Sequence, residues 1–205
     1  MSSKFKFKTI KDDFPKMQQS IEKLNGKRVD VGVMGENAWL AGIHEYGCTV
    51  TAKNSRYLTI PISPKSAGKR ASDFSNLFYV ESKTGEKFLA RDKKINGENQ
   101  IELLFWLTKS VKIPERSFLR AGFDEHHNDV VKKAEMLIPA LLEGKISDEQ
   151  FFKKIGIMLS TKIKEFARDL KSPSKSNVTI EAHPGKENPL VNTGKMISSI
   201  TYKVE

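Results

Sequence analysis

Residues 147–170 read SDEQFFKKIGIMLSTKIKEFARDL. Phe151, Ile155, Leu159, Ile163, Phe166 and Leu170 follow one another at steps of three or four residues, the spacing of one face of an α-helix. Ser147, with Gln150 three positions later, forms a capping box at the start of this run. Asp148 and Glu149 put negative charge where a helix N-terminus favours it. The default use of such a stripe is intramolecular core, not a cofactor box. A long helix with one buried face therefore anchors the fold.

Upstream, Ile113-Pro114 marks a boundary, because the residue before a proline is kept out of the helical region. A second helix is predicted from about Ser117 to Ile138, with Phe118, Ala121, Gly122, Val130, Ala134 and Leu137 on its inner face. Pro139 is expected to stop or kink it. Residues 51–112 read as an inserted β-rich lobe. In it, Tyr57–Ile62 is an edge strand because of Pro61, and Leu77–Glu81 and Lys87–Arg91 form a hairpin about Thr84-Gly85. Ile95–Asn99 is a loop around Gly97. The apolar run Leu103–Val111 shows no period, and it fits the lobe's buried last strand.

Closer to the start, Lys4–Ile10 alternates as a strand. A helix follows from Asp12-Asp13 to Leu24, with Phe14, Met17, Ile21 and Leu24 on one face. Arg28–Met34 is a strand, and a short helix from Asn37 is closed by Gly47. Beyond the anchor helix, 172–188 is rich in Ser, Pro, Lys and Asn, with a β-like run at Val178–Ala182. It reads as a mobile loop or hairpin arm. Ile200–Val204 ends the chain as a strand. The expected fold is α+β: one domain over 1–205, with a small mixed or antiparallel sheet packed with two long helices, plus the lobe.

The 205 residues carry 35 Lys+Arg against 25 Asp+Glu, a net charge of +10. By our count the excess is +6 in 51–113 and zero in 114–170, so it lies off the long helices. Such a surface suits nucleic acid or an acidic protein, or serves only solubility. One cysteine, Cys48, excludes an internal disulfide and a four-cysteine zinc site. No run approaches a membrane span and no signal peptide is visible, so a soluble protein made in the cytoplasm is expected.

Chemistry is sparse. His44-Glu45 lacks the second histidine four positions on that a helical zinc-protease site needs, since Cys48 stands there. His126 and His127 are adjacent on a helix and point about 100° apart. No phosphate loop occurs: Gly32 and Gly35 fall short of GxGxxG. No catalytic constellation, metal site or cofactor site is assigned, and an enzyme is not expected.

Three segments carry a resemblance. The first is Val31-Gly32-Val33 followed by Ala41-Gly42-Ile43-His44-Glu45-Tyr46-Gly47. The second is Ile113-Pro114-Glu115-Arg116-Ser117-Phe118-Leu119-Arg120. The third is Asn188-Pro189-Leu190-Val191-Asn192-Thr193-Gly194-Lys195-Met196, then Ser199-Ile200-Thr201-Tyr202. In this order they resemble the tail-component and virion-morphogenesis proteins of tailed bacteriophages, the tail-completion or neck group. Ser117 departs from the pattern where many relatives have a second proline.

The resemblance implies a non-catalytic α+β protein of the virion, assembled in the host cytoplasm. Copies would form a ring, a hexamer by that likeness, around the DNA channel at the neck or top of the tail. Neighbouring neck, tail-terminator or tail-tube proteins would be its partners. Its motif residues are Ile43, His44, Glu45, Gly47, Pro114, Arg116, Phe118, Leu119, Pro189, Leu190, Thr193 and Gly194, with packing and turn formation as their first use. The loop 63–75 and the arm 172–188 are the segments expected to order on docking. Lys65, Lys69, Arg70, Lys175 and Lys186 are the candidate contacts to DNA or a partner. The alternative is a basic nucleic-acid-binding protein without a virion role.

Overall fold

The computed structural model describes residues 14–95 and 98–205; the strand expected at Lys4–Ile10 lies outside them. In chain order the elements are α1 (Phe14–Leu24), β1 (Val29–Val33), α2 (Ala38–Tyr46), β2 (Cys48–Thr51), β3 (Leu58–Pro61), β4 (Phe78–Glu81), β5 (Lys87–Ile95), β6 (Glu98–Thr108), β7 (Ser110–Ile113), α3 (Phe118–Leu142), α4 (Asp148–Asp169), α5 (Asn177–Ala182), α6 (Lys195–Ser198) and β8 (Ile200–Val204). The class is α+β, and every sheet is antiparallel.

Helix α4 is the axis. Ser147 Oγ accepts the Gln150 N–H at 3.1 Å, and the Gln150 side chain accepts the Ser147 N–H at 3.0 Å, closing the capping box. Phe151, Ile155, Leu159 and Ile163 are buried along its stripe, and Ala167 extends it. One side packs on α3, where Gly122 meets the Phe166 ring. Another carries the β1–β8 ribbon, and there Gly156 lies under the Tyr202 ring. Val29 pairs with Val204 and Val33 with Ile200.

Two clusters form the core of this body. Leu159, Ile163 and Ala167 join Ala41, Phe118, Leu190, Met196, Ile197 and Ile200. Phe151 and Ile155 join Leu141, with Leu24, Val130, Ala134 and Leu137 packed against them.

The lobe is a four-stranded sheet in the order β3-β6-β5-β4, carried on a stalk made by β2 and β7. β3 is an edge strand, as Pro61 requires. Register shifts between Leu89 and Ala90, so Leu89 faces Phe105 and Ala90 faces Leu103. Leu104 is the extra residue of this bulge. Strand alternation is broken there, and Leu104 and Phe105 are both fully buried although adjacent. Ser66, also buried, places its hydroxyl 2.6 Å from the Leu104 carbonyl oxygen, which also accepts the Ile62 N–H at 2.9 Å.

Several expectations are corrected. Helix α3 runs through Pro139 to Leu142, because burial of Leu141 against Phe151 and Ile155 holds its last turn in place. Val178–Ala182 is helix α5, started by Ser176, whose side chain accepts the Thr179 N–H. Residues 172–188, expected as an arm, lie as a strap against the body: Arg116 Nε donates to Pro173 O at 3.1 Å, and Asn188 Nδ2 donates to Ala167 O at 2.9 Å. Ile95, Glu98 and Asn99 belong to strands, because β5 and β6 stay paired to Ile95 and Glu98. The apolar face of α1 is not an inner face throughout. Phe14 and Ile21 are 69% and 56% exposed, and Leu24 alone of the four is packed on a buried cluster.

Candidate functional site

The first two motifs meet where α2 ends and α3 begins. Gly47 closes α2 with φ +66°, and a Cβ there would stand 2.7 Å from Glu115 N and 2.8 Å from Ile113 O. Only glycine allows the Ile113–Glu115 chain to pass this close. The terminal carbonyls of α2 then find donors in that chain: Arg116 N donates to His44 O at 2.8 Å, and Ser117 N to Glu45 O at 3.2 Å.

Ser117 has the sequence position of an N-cap, but it is left-handed (φ 41°) and its side chain caps nothing. Glu45 takes that role from the neighbouring helix. Its carboxylate accepts Leu119 N at 2.8 Å, Arg120 N at 3.0 Å and Arg120 Nε at 2.9 Å. At 2% exposure it is buried and fully partnered, and it sits at the positive end of α3. Arg120 also donates to Glu45 O and to Glu115, and its guanidinium lies 4.7 Å from the centre of the Tyr46 ring.

His44 and Arg116 face the other way. Arg116 Nη1 lies 3.0 Å from His44 Nδ1. Burial, and after it the Arg116 charge, holds the His44 imidazole below its ordinary pKa, so the ring is the neutral acceptor of this bond at pH 7. Arg116 is itself lowered by burial. Its other hydrogen bonds go to the carbonyls of Pro173 and Ser174.

The third motif closes the same core. Pro189 and Leu190 are buried, Leu190 in the cluster that holds Phe118, with Leu119 packed against it. Thr193 Oγ1 accepts the Lys195 N–H at 3.4 Å, and Gly194 (φ +78°) starts α6. Ile43 is half-buried. Two contributors were missed as site residues. Asn188 caps the C-terminal carbonyls of α4, and Arg120 completes the Glu45 cage. Neither has a sequence signal of its own, because each acts on a partner distant in the chain.

The basic candidates divide. Lys65 pairs with Glu102 at 2.9 Å. Arg91 and Lys93 pair with the same carboxylate, which hydrogen bonds from Lys65 and then Arg91 help to hold at a pKa of about 2. Lys69 lies 5.6 Å over the Phe74 ring. Arg70 places its backbone N–H on Asp73. Lys175 and Lys186 come together instead. Lys175 Nζ donates to Lys186 O at 2.8 Å and to Val191 O at 2.5 Å.

These two line a cleft of about 480 Å³ between the lobe and the strap, with Lys112, Arg116, His44 and His183 on its walls. Among the described residues no group of three or more His, Cys, Asp or Glu could hold a metal ion. No helix among them is long and apolar enough to cross a membrane. Compared with protein-family models, with curated proteins and with solved structures, the chain matches none.

Proposed function

We propose that the protein is a non-enzymatic structural component of a tailed-phage virion, acting in tail completion or head–tail joining at the neck. The reading rests on the ordered set of three motifs. The observation that supports it best is their convergence: Glu45, Gly47, Arg116, Phe118 and Leu190 are distant in sequence, yet they make one helix junction and one core. Segments that share a family's order and also build one another's caps behave as a unit.

Two surfaces suit subunit contact. Trp39 and Tyr46, seven residues apart on one face of α2, are 69% and 66% exposed. Large exposed aromatics of this kind anchor protein interfaces. Among the described residues β1 pairs only with β8, a two-stranded ribbon whose edges suit pairing with a further strand. Contacts between different patches on successive copies form a ring when the rotation from copy to copy closes. Neck, tail-terminator or tail-tube proteins would bind its faces, and DNA would pass through it. The virion is its site of action, and the host cytoplasm its site of assembly.

Electron microscopy of lysates from a phage or prophage lacking this reading frame tests the proposal. Filled heads beside free tails of normal length are expected. Overlong tails would reassign it as a terminator and emptied heads as a stopper. Normal infectious particles would overturn the virion role.

A further inference from the structure

The cleft between lobe and strap holds positive charge without compensation. Lys112, Arg116, Lys175 and Lys186 line it, and His44 and His183 stand among them. No Asp or Glu does so among the described residues. Several cations outside the cleft do have carboxylate partners: Arg28 with Glu205, Lys65 and Arg91 with Glu102, Lys27 with Asp148. Arg116 and Lys175 are both half-buried, and their described hydrogen bonds go to carbonyl oxygens and one imidazole nitrogen. Burial lowers both pKa values, and for Lys175 the charges of Lys186 and Arg116 lower it further. Partly desolvated like charges held near one another cost free energy that an anion between them would recover.

The donors for such an anion remain. A guanidinium has five N–H groups, and Arg116 uses three, one on each nitrogen. One hydrogen on each terminal nitrogen has no described acceptor and can donate to an anion's oxygen. Lys175 uses two of its three N–H groups. Backbone carbonyls fix both side chains, so little ordering is needed on binding.

We propose that this cleft is an anion site for a phosphate group, presented by a nucleic-acid backbone. The inference does not depend on a virion role. A single carboxylate would need only Arg116 and Lys175. The wider surface favours a repeating polyanion: Lys112 and Lys186 extend the cleft, and Lys69 and Arg70 follow directly on Gly68, which lines it. Each phosphate so neutralised releases counterions, which makes binding steeply salt-dependent.

The test uses purified full-length protein and a fluorescently labelled single-stranded oligonucleotide, with anisotropy read over a salt series. Lys112→Gln with Lys186→Gln removes two exposed cleft charges. Lys153→Gln with Lys154→Gln removes two exposed charges of α4 and serves as the equal-charge control. The cleft pair should weaken binding about tenfold more than the control pair. It should also reduce the slope of log affinity against log salt by about 1.4. Both variants should melt with the parent protein. Equal losses in the two pairs would overturn the site. So would tighter binding of a polyglutamate peptide than of the oligonucleotide. Binding of millimolar inorganic phosphate with no binding of the oligonucleotide would overturn the nucleic-acid source.

Discussion

The Glu45 carboxylate accepts the Leu119 N–H at 2.8 Å, so the cap of α3 comes from a residue 74 positions earlier in the chain. A carboxylate at a helix N-terminus is common chemistry. Here it also locks α2 to α3, and Arg120 completes the lock. Replacing Glu45 by Ala removes the cap and leaves the Leu119 N–H unpaired. A loss of about 3 kcal/mol is expected by urea unfolding. Glu45→Gln keeps one acceptor and should lose less. Equal, small losses for both would show that the cage does not hold the junction.

Glycine substitutions separate close approach from backbone strain. Gly47→Ala meets backbone atoms at 2.7 and 2.8 Å and keeps a φ of +66°. Gly144→Ala keeps a φ of +70° with open space around it. The second should cost about 1 kcal/mol from strain alone. The first should cost at least twice that. Gly156→Ala puts its Cβ 2.3 Å from the Tyr202 ring and should displace β8 from α4. Thermal unfolding of the three variants side by side checks the order.

How much of this was legible follows from where each signal lies. The α4 stripe and its capping box could be read because every partner is within four residues. Alternation of Val29, Val31 and Val33 placed β1 inside the stretch Arg28–Met34, one residue wider at each end than the strand, and Ile200–Val204 matches β8. Pro61 correctly marked an edge strand. Pro139 misled, because a proline in the last turn of a helix competes with burial of Leu141, and burial is a tertiary fact. Val178–Ala182 misled because a β-branched run says nothing about the Ser176 cap before it. Phe14 and Ile21 have helical spacing, but spacing does not say how far a neighbouring element reaches. In the site, Glu45 stood out as a motif residue, but its role did not. The function of a carboxylate that caps a helix built 74 residues later is invisible until the two helices are brought together.

His44 makes stability sensitive to mild acid. Burial and Arg116 depress its folded pKa below the ordinary 6.5. As pH falls, the unfolded chain takes up this proton first, so folding stability drops. The contribution is complete above about pH 6.5 and is lost as pH falls from there toward the folded value. The unfolding midpoint should decline as pH falls below 6.5. His44→Gln should make that decline shallower. Carboxylates held low, such as Glu102 and Asp148, act in the same direction but only below their ordinary 4.5 and 3.8. Parallel curves for the two proteins in the upper window would remove His44 from the account.

Trp39 tests assembly apart from folding. It is 69% exposed, so truncation removes little that the single chain buries. Trp39→Ala should shift the melting temperature by no more than about 2 °C. If α2 is a subunit contact, self-association measured by sedimentation should weaken by tenfold or more, as for a buried aromatic anchor. Unchanged sedimentation would exclude this face.

The stalk of the lobe has an evolutionary and practical meaning. Thr51 stands opposite Ser110, so the chain leaves the body and returns to it on a single rung. Residues 52–109 can therefore be exchanged for a two-residue turn, and β2 and β7 would close as an ordinary hairpin. The helices, their caps and the three motifs draw none of their described hydrogen bonds from that segment. Lineages carrying this body are free to drop the lobe, enlarge it or swap it. An engineer can graft a foreign domain onto the same two strand ends.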